Sequence, residues 1–339
     1  MSFLRRVSPT FLLFLFAPLV AEFVLGDLTL DQLGALFVLA PLYGGGAILI
    51  REFVCRTGAG WRAFLLPAFA YALLEEGILT QSLFNPNYLH LRLIDYGFVP
   101  ALGTAIPWAI FVLTIHMVWS LAVPIGIVEA AFASRRSEPW LKLQGLVVTC
   151  LLFGGGALLA LRFSFSQTRF RASALQLSLC ALLISVCLAA AFLPRERIRN
   201  LDSRSAALNP AVFGATAFAL GSAFQLVNSF GRANLPWFAT ASLLGAIIAA
   251  AVGFFVWATR ANNWTPTGSW SAATGGLLCY VWLGYTVDRA LHGPGHALGH
   301  SVFVAAALLV TAWAGWRAVR HDGFSKEPAV SEGQAAANG

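Results

Sequence analysis

The sequence predicts an all-α, polytopic transmembrane bundle of about ten helices. Three observations carry that expectation. Of 339 residues, 58% are hydrophobic and only 11% charged, with a mean hydropathy of +0.73, whereas soluble domains are about one quarter charged. The apolar residues fall in runs of roughly 18 to 25, the length that crosses about 30 Å of hydrocarbon at 1.5 Å per residue. The charges are confined to short clusters between those runs.

The runs lie near residues 9–26, 32–50, 62–83, 104–132, 145–162, 173–194, 210–230, 236–259, 270–290 and 300–319. The first follows Arg5-Arg6 and could be read as a secretory leader, but no small-residue cleavage site ends it and Glu22 lies inside it, which predicts a retained first helix. Short connections make sequence neighbours antiparallel hairpins, because backbone polar groups must be satisfied within the bilayer. Two connections are longer, Phe84–Gly103 and Arg195–Asn209. Most of the basic residues fall on one side if the N-terminus is inside: Arg51 with Arg56, Arg135 with Arg136, the arginines of 195–204, and Arg317 with Arg320. That asymmetry predicts N-in and C-in in a bacterial-type inner membrane, with Arg162, Arg169 and Arg171 as a local exception. Trp61, Trp108, Trp140, Trp237 and Trp270 stand at run ends, as interfacial anchors do. A single helical domain is expected over residues 1–320, with a disordered cytoplasmic tail over 321–339.

A net charge of +7 would point to nucleic acid in a soluble protein. Here the arginines sit at helix ends, so membrane lipid is the expected partner and nucleic acid is not. The five cysteines show no metal or redox spacing and read as small apolar residues. No phosphate-cradling loop, nucleotide fingerprint or haem motif is present, which argues against primary pumps and most redox enzymes and leaves the cofactor unknown. Gly44-Gly45-Gly46 and Gly154-Gly155-Gly156 read as points of close helix approach.

Glu75 and Glu76 stand well inside the third run. A carboxylate at mid-membrane costs about 2.5–3.5 kcal/mol, so a pair demands partners, protons or water. His116 on the fourth run is the candidate partner, and Ser120, one turn on, shares its face. A glutamate and a histidine in a low-dielectric pocket have the chemistry of a general acid–base pair. They have equally the chemistry of a hydrogen bond that only locks two helices. A second group, His292-Gly-Pro-Gly-His296-Ala-Leu-Gly-His300, has the four-residue spacing of a metal-binding helix. The Gly-Pro-Gly segment interrupts it, leaving His296 and His300 as the candidate metal pair. Glu22, Glu129 and Asp288 lie nearer run ends, where snorkelling makes them cheaper.

The paired glutamates, the histidine of a later helix and a further histidine with a partner four positions on resemble the CPBP (CAAX-processing/Abi) intramembrane protease family. That resemblance implies glutamates and histidines surrounding a water that attacks a peptide carbonyl within the membrane, here Glu75, Glu76, His116 and His296. The pattern departs at three places: Thr80 stands where the family has arginine, Val112 where it has phenylalanine, and His300 where it has asparagine or aspartate. Two further readings stand beside hydrolysis of a peptide or small-molecule substrate. One is a proton-coupled secondary transporter, for which Pro107 and Pro124 would give a mobile cavity. The other is a non-catalytic membrane scaffold.

Overall fold

A computed structural model describes residues 8–58, 61–193, 208–260 and 264–324. Among these residues each of the ten apolar runs lies on a helical rod. They are α1 (Pro9–Val24), α2 (Ala35–Thr57), α3 (61–79), α4 (Ile106–Ala131), α5 (Leu143–Thr168), α6 (Ala174–Ala191), α7 (Pro210–Asn234), α8 (Trp237–Arg260), α9 (Pro266–His292) and α10 (Ala297–Phe324). Seven of them, α2, α4, α5, α6, α7, α8 and α10, are long and apolar enough to cross a membrane. The chain is therefore an all-α, multi-pass membrane protein. α9 is long but rich in Gly, Ser and Thr, and much of it is buried against other helices rather than turned outward. The sole sheet among the described residues is a two-residue hairpin, Phe98–Val99 against Thr104–Ala105, in the loop before α4.

Local chemistry sets the helix ends. Ser173 and Gln176 form a reciprocal capping box at the start of α6. Asn209 and Thr265 cap α7 and α9, each with proline at the first helical position. Gly58, at φ +61°, ends α2 in the left-handed region. As expected, the Gly-Pro-Gly segment separates α9 from α10. α10 runs on to Phe324, four residues into the expected tail, and the rest of that tail, like the arginines of 195–204, lies outside the described residues.

The core joins α1, α2, α3, α4, α9 and α10, whereas α5 to α8 turn most of their leucine, valine and phenylalanine side chains outward. Close approach depends on missing side chains. A Cβ on Gly44 would lie 2.1 Å from the Phe14 carbonyl oxygen of α1, and one on Gly275 of α9 would lie 2.1 Å from that of Gly214 on α7. Small residues at crossings are the membrane-protein route to tight packing. Trp119 of α4 stacks on Tyr280 of α9, with centroids 4.8 Å apart and planes 2° apart, and donates to the Gly276 carbonyl at 2.8 Å.

At one end of the bundle Arg51 is 1% exposed rather than solvated at an interface. Its Nε donates to Glu129, and its terminal nitrogens donate to Glu52 and to the carbonyls of Arg135, Arg136 and Glu138, at 2.7–3.2 Å. The Trp140 ring covers its guanidinium at 3.8 Å. Glu129 thus holds a buried arginine, a different role from the snorkelling expected of it.

Candidate functional site

Three helices loosen from α to π geometry where they meet: α1 over Leu19–Val24, α3 over Leu74–Leu79 and α4 over His116–Ala122. Glu22, Glu75, Glu76, His116 and Ser120 all lie on these turns. π turns are rare and concentrate at functional sites. In α3 the amide of Thr80 reaches the Glu75 carbonyl five residues back at 2.8 Å, and the single Thr80 hydroxyl proton is shared between that oxygen, at 3.0 Å, and the Glu76 carboxylate.

The structure brings Glu75, Glu76 and His116 together. They are 3%, 4% and 8% exposed. His116 Nε2 is 2.8 Å from Glu76 Oε1, and His116 Nδ1 is 3.2 Å from Glu75 Oε2. The adjacent glutamates share one histidine but address different nitrogens of its ring. Glu76 is held further: its other oxygen accepts hydrogen bonds from the Thr80 hydroxyl at 3.2 Å and from Ser82. Glu75 Oε2 accepts no hydrogen bond, and the Tyr71 hydroxyl is buried beside this residue. His116 Nδ1 also lies 3.2 Å from the Ser120 hydroxyl.

Several members of this cluster left little trace in the sequence. Glu22, read as a run-end residue, receives a hydrogen bond from Tyr43, whose ring stacks on His116 with centroids 6.2 Å apart and planes 21° apart. The signal available was its position inside an apolar run. Thr80 stood out only as the residue in place of an arginine, and nothing marked Tyr43 or Ser82.

His296 and His300 do not enter the cluster. His296 is exposed at the mouth of α10, its ring 5.8 Å from that of His292. His300 is buried edge-on against Tyr285, with centroids 4.7 Å apart. Asp288, also read as a cheap run-end residue, is 2% exposed.

Among the described residues, Glu75, Glu76 and His116 form the one group of His, Cys, Asp or Glu whose candidate ligand atoms lie within 4.8 Å of one another. Two carboxylates and an imidazole match the donor types of a divalent transition ion. The orientation suits protons better. A metal on one ring nitrogen would draw both carboxylates to that edge, whereas here each carboxylate faces its own nitrogen.

A model of an uncharacterized membrane protein family matches residues 11–311. No curated protein and no solved structure matches the chain. The family match supports the membrane reading and adds nothing to the resemblance to CPBP proteases.

Proposed function

The chain belongs to an uncharacterized membrane protein family, and we propose that it is an intramembrane hydrolase whose acid–base unit is Glu75, Glu76 and His116. One observation carries this reading: a buried histidine is oriented by a carboxylate that is itself fixed by two hydroxyl groups. A base held by a third group is the arrangement that proton abstraction requires. Glu76, positioned by Thr80 and Ser82, accepts the hydrogen bond of Nε2–H and fixes the ring. Nδ1 is then free to accept a proton from the attacking oxygen. Glu75, whose Oε2 lies 3.2 Å from that nitrogen, is placed to take the proton on or return it to a leaving group. Thr80, in place of the CPBP arginine, holds the glutamate by a hydroxyl rather than by a charge.

The test is hydrolysis of a peptide library and of lipid esters by the purified full chain in nanodiscs. Glu76→Gln and His116→Gln are expected to lower the rate by about 10²–10⁴-fold, the usual contribution of positioned acid–base groups. Rates equal to wild type in both variants would remove the hydrolase reading. Glu22 favours a second reading, a proton-coupled carrier, because it adds a further titratable group linked to the cluster through Tyr43. Solute uptake driven by a pH gradient in proteoliposomes, lost in Glu22→Gln, would establish that reading instead.

A further inference from the structure

We propose that Ser120 is the nucleophile of this site, so that hydrolysis runs through an acyl-enzyme; this rests on the hydrolase reading above. The Ser120 hydroxyl, His116 Nδ1, His116 Nε2 and Glu76 Oε1 form one continuous line, with steps of 3.2 Å and 2.8 Å on either side of the ring. A nucleophile, a base within hydrogen-bond reach and a third group orienting the base define an activated hydroxyl.

Serine and threonine inside helices ordinarily donate back to the carbonyl four residues earlier. This protein follows that habit at Thr114, Thr149, Ser185, Thr274, Ser301 and Thr311. At Ser120 the residue four earlier is His116, and the hydroxyl goes to its ring rather than to its carbonyl. The π turn over His116–Ala122 changes the carbonyl geometry and leaves the hydroxyl to the imidazole. Ser120 is also 3% exposed, and a buried hydroxyl aimed at a ring nitrogen is held in position for attack.

With the Nε2 proton directed to Glu76 and the Nδ1 proton passed to Glu75 Oε2, 3.2 Å away, Nδ1 presents a lone pair to the Ser120 O–H. Ser120 Oγ forms a bond to the carbonyl carbon of an ester or amide, its proton passes to Nδ1, and the C=O π pair moves onto the carbonyl oxygen. Collapse of that intermediate breaks the bond to the leaving alcohol or amine, which departs with the proton from Nδ1. A water then repeats the sequence on the acyl-serine, releasing the acid and restoring the Ser120 hydroxyl. No oxidant, reductant or further reactant is needed.

An alkyl fluorophosphonate tests this on the full chain in nanodiscs without knowledge of the natural substrate. Phosphonylation joins Oγ to phosphorus and expels fluoride, and peptide mass spectrometry locates the adduct. The expected result is one adduct, on Ser120, absent in Ser120→Ala and formed on the order of 10²-fold more slowly in Glu76→Gln. Peptide and lipid-ester hydrolysis is measured on the same preparations, with elution profile and Tm as the check on folding. Folded Ser120→Ala hydrolysing at the wild-type rate, or wild type that hydrolyses substrate without an adduct at Ser120, overturns the nucleophile and leaves a Glu–His hydrolase acting directly on water. An adduct on Ser120 in a protein that cleaves neither substrate class upholds the activated hydroxyl and overturns the hydrolase reading.

Discussion

Arg51 places all five of its N–H groups on partners inside the protein, and without it two carboxylates and three loop carbonyls each lose a donor, although Glu52 keeps Arg56 and Glu129 keeps Arg136. Removing one member of a buried ion pair costs about 3–5 kcal/mol, because the opposite charge is left unpaired in a poor solvent. Arg51→Ala is therefore expected to lower Tm in detergent sharply. Arg56→Ala, whose head group is 40% exposed although it touches Glu52, should move Tm little. Equal shifts in the two variants would contradict this account. The sequence placed Arg51 at a helix end and could go no further, since three of its acceptors are backbone carbonyls of a loop some 85 residues away. Glu75, Glu76 and His116 were legible for the opposite reason. A charge inside an apolar run is conspicuous, whereas the Thr80 and Ser82 hydroxyls that orient Glu76 look like ordinary polar residues at a helix end.

The helices themselves were readable because each carries its own apolar run, and all ten runs lie on rods among the described residues. Their π turns were not. An added residue in a turn leaves hydropathy unchanged and shows only in i→i+5 hydrogen bonds such as that from Thr80 to Glu75. Glu75 and Glu76 on a regular helix would point about 100° apart. The π turn instead lets them approach one imidazole from two sides. Helix crossings give a sharper test of packing. Gly275→Ala puts a methyl group 2.1 Å from a backbone oxygen that cannot rotate away, and should destabilise by about 1–3 kcal/mol. Gly245→Ala on α8 meets nothing within 4 Å and should stabilise, by up to about 1 kcal/mol, through helix propensity. Thermal unfolding in one detergent checks both, and the same sign for the two would refute the packing argument.

At the scale of the molecule, α5 to α8 form an outer layer with large apolar side chains exposed, as lipid contact requires, around a more enclosed group of helices that carries the polar cluster. The end holding Arg51, Arg135 and Arg136 gathers residues that the charge asymmetry assigns to the inner side. N-in and C-in predicts that a fluorescent protein fused after the last residue is bright in cells and that alkaline phosphatase at the same point is inactive. The reverse pattern would invert the topology. Orientation could be argued from sequence because it depends on counted charges, while the order of packing could not, since it depends on contacts such as Trp119 with Tyr280. That contact has a consequence in time. Trp119 belongs to the same π turn as His116 and Ser120, yet its stacking partner and its carbonyl acceptor are made more than 150 residues later. During synthesis the growing chain therefore carries the helix of His116 and Ser120 into the membrane before its stacking partner exists, and Trp119 is packed only once α9 has been made.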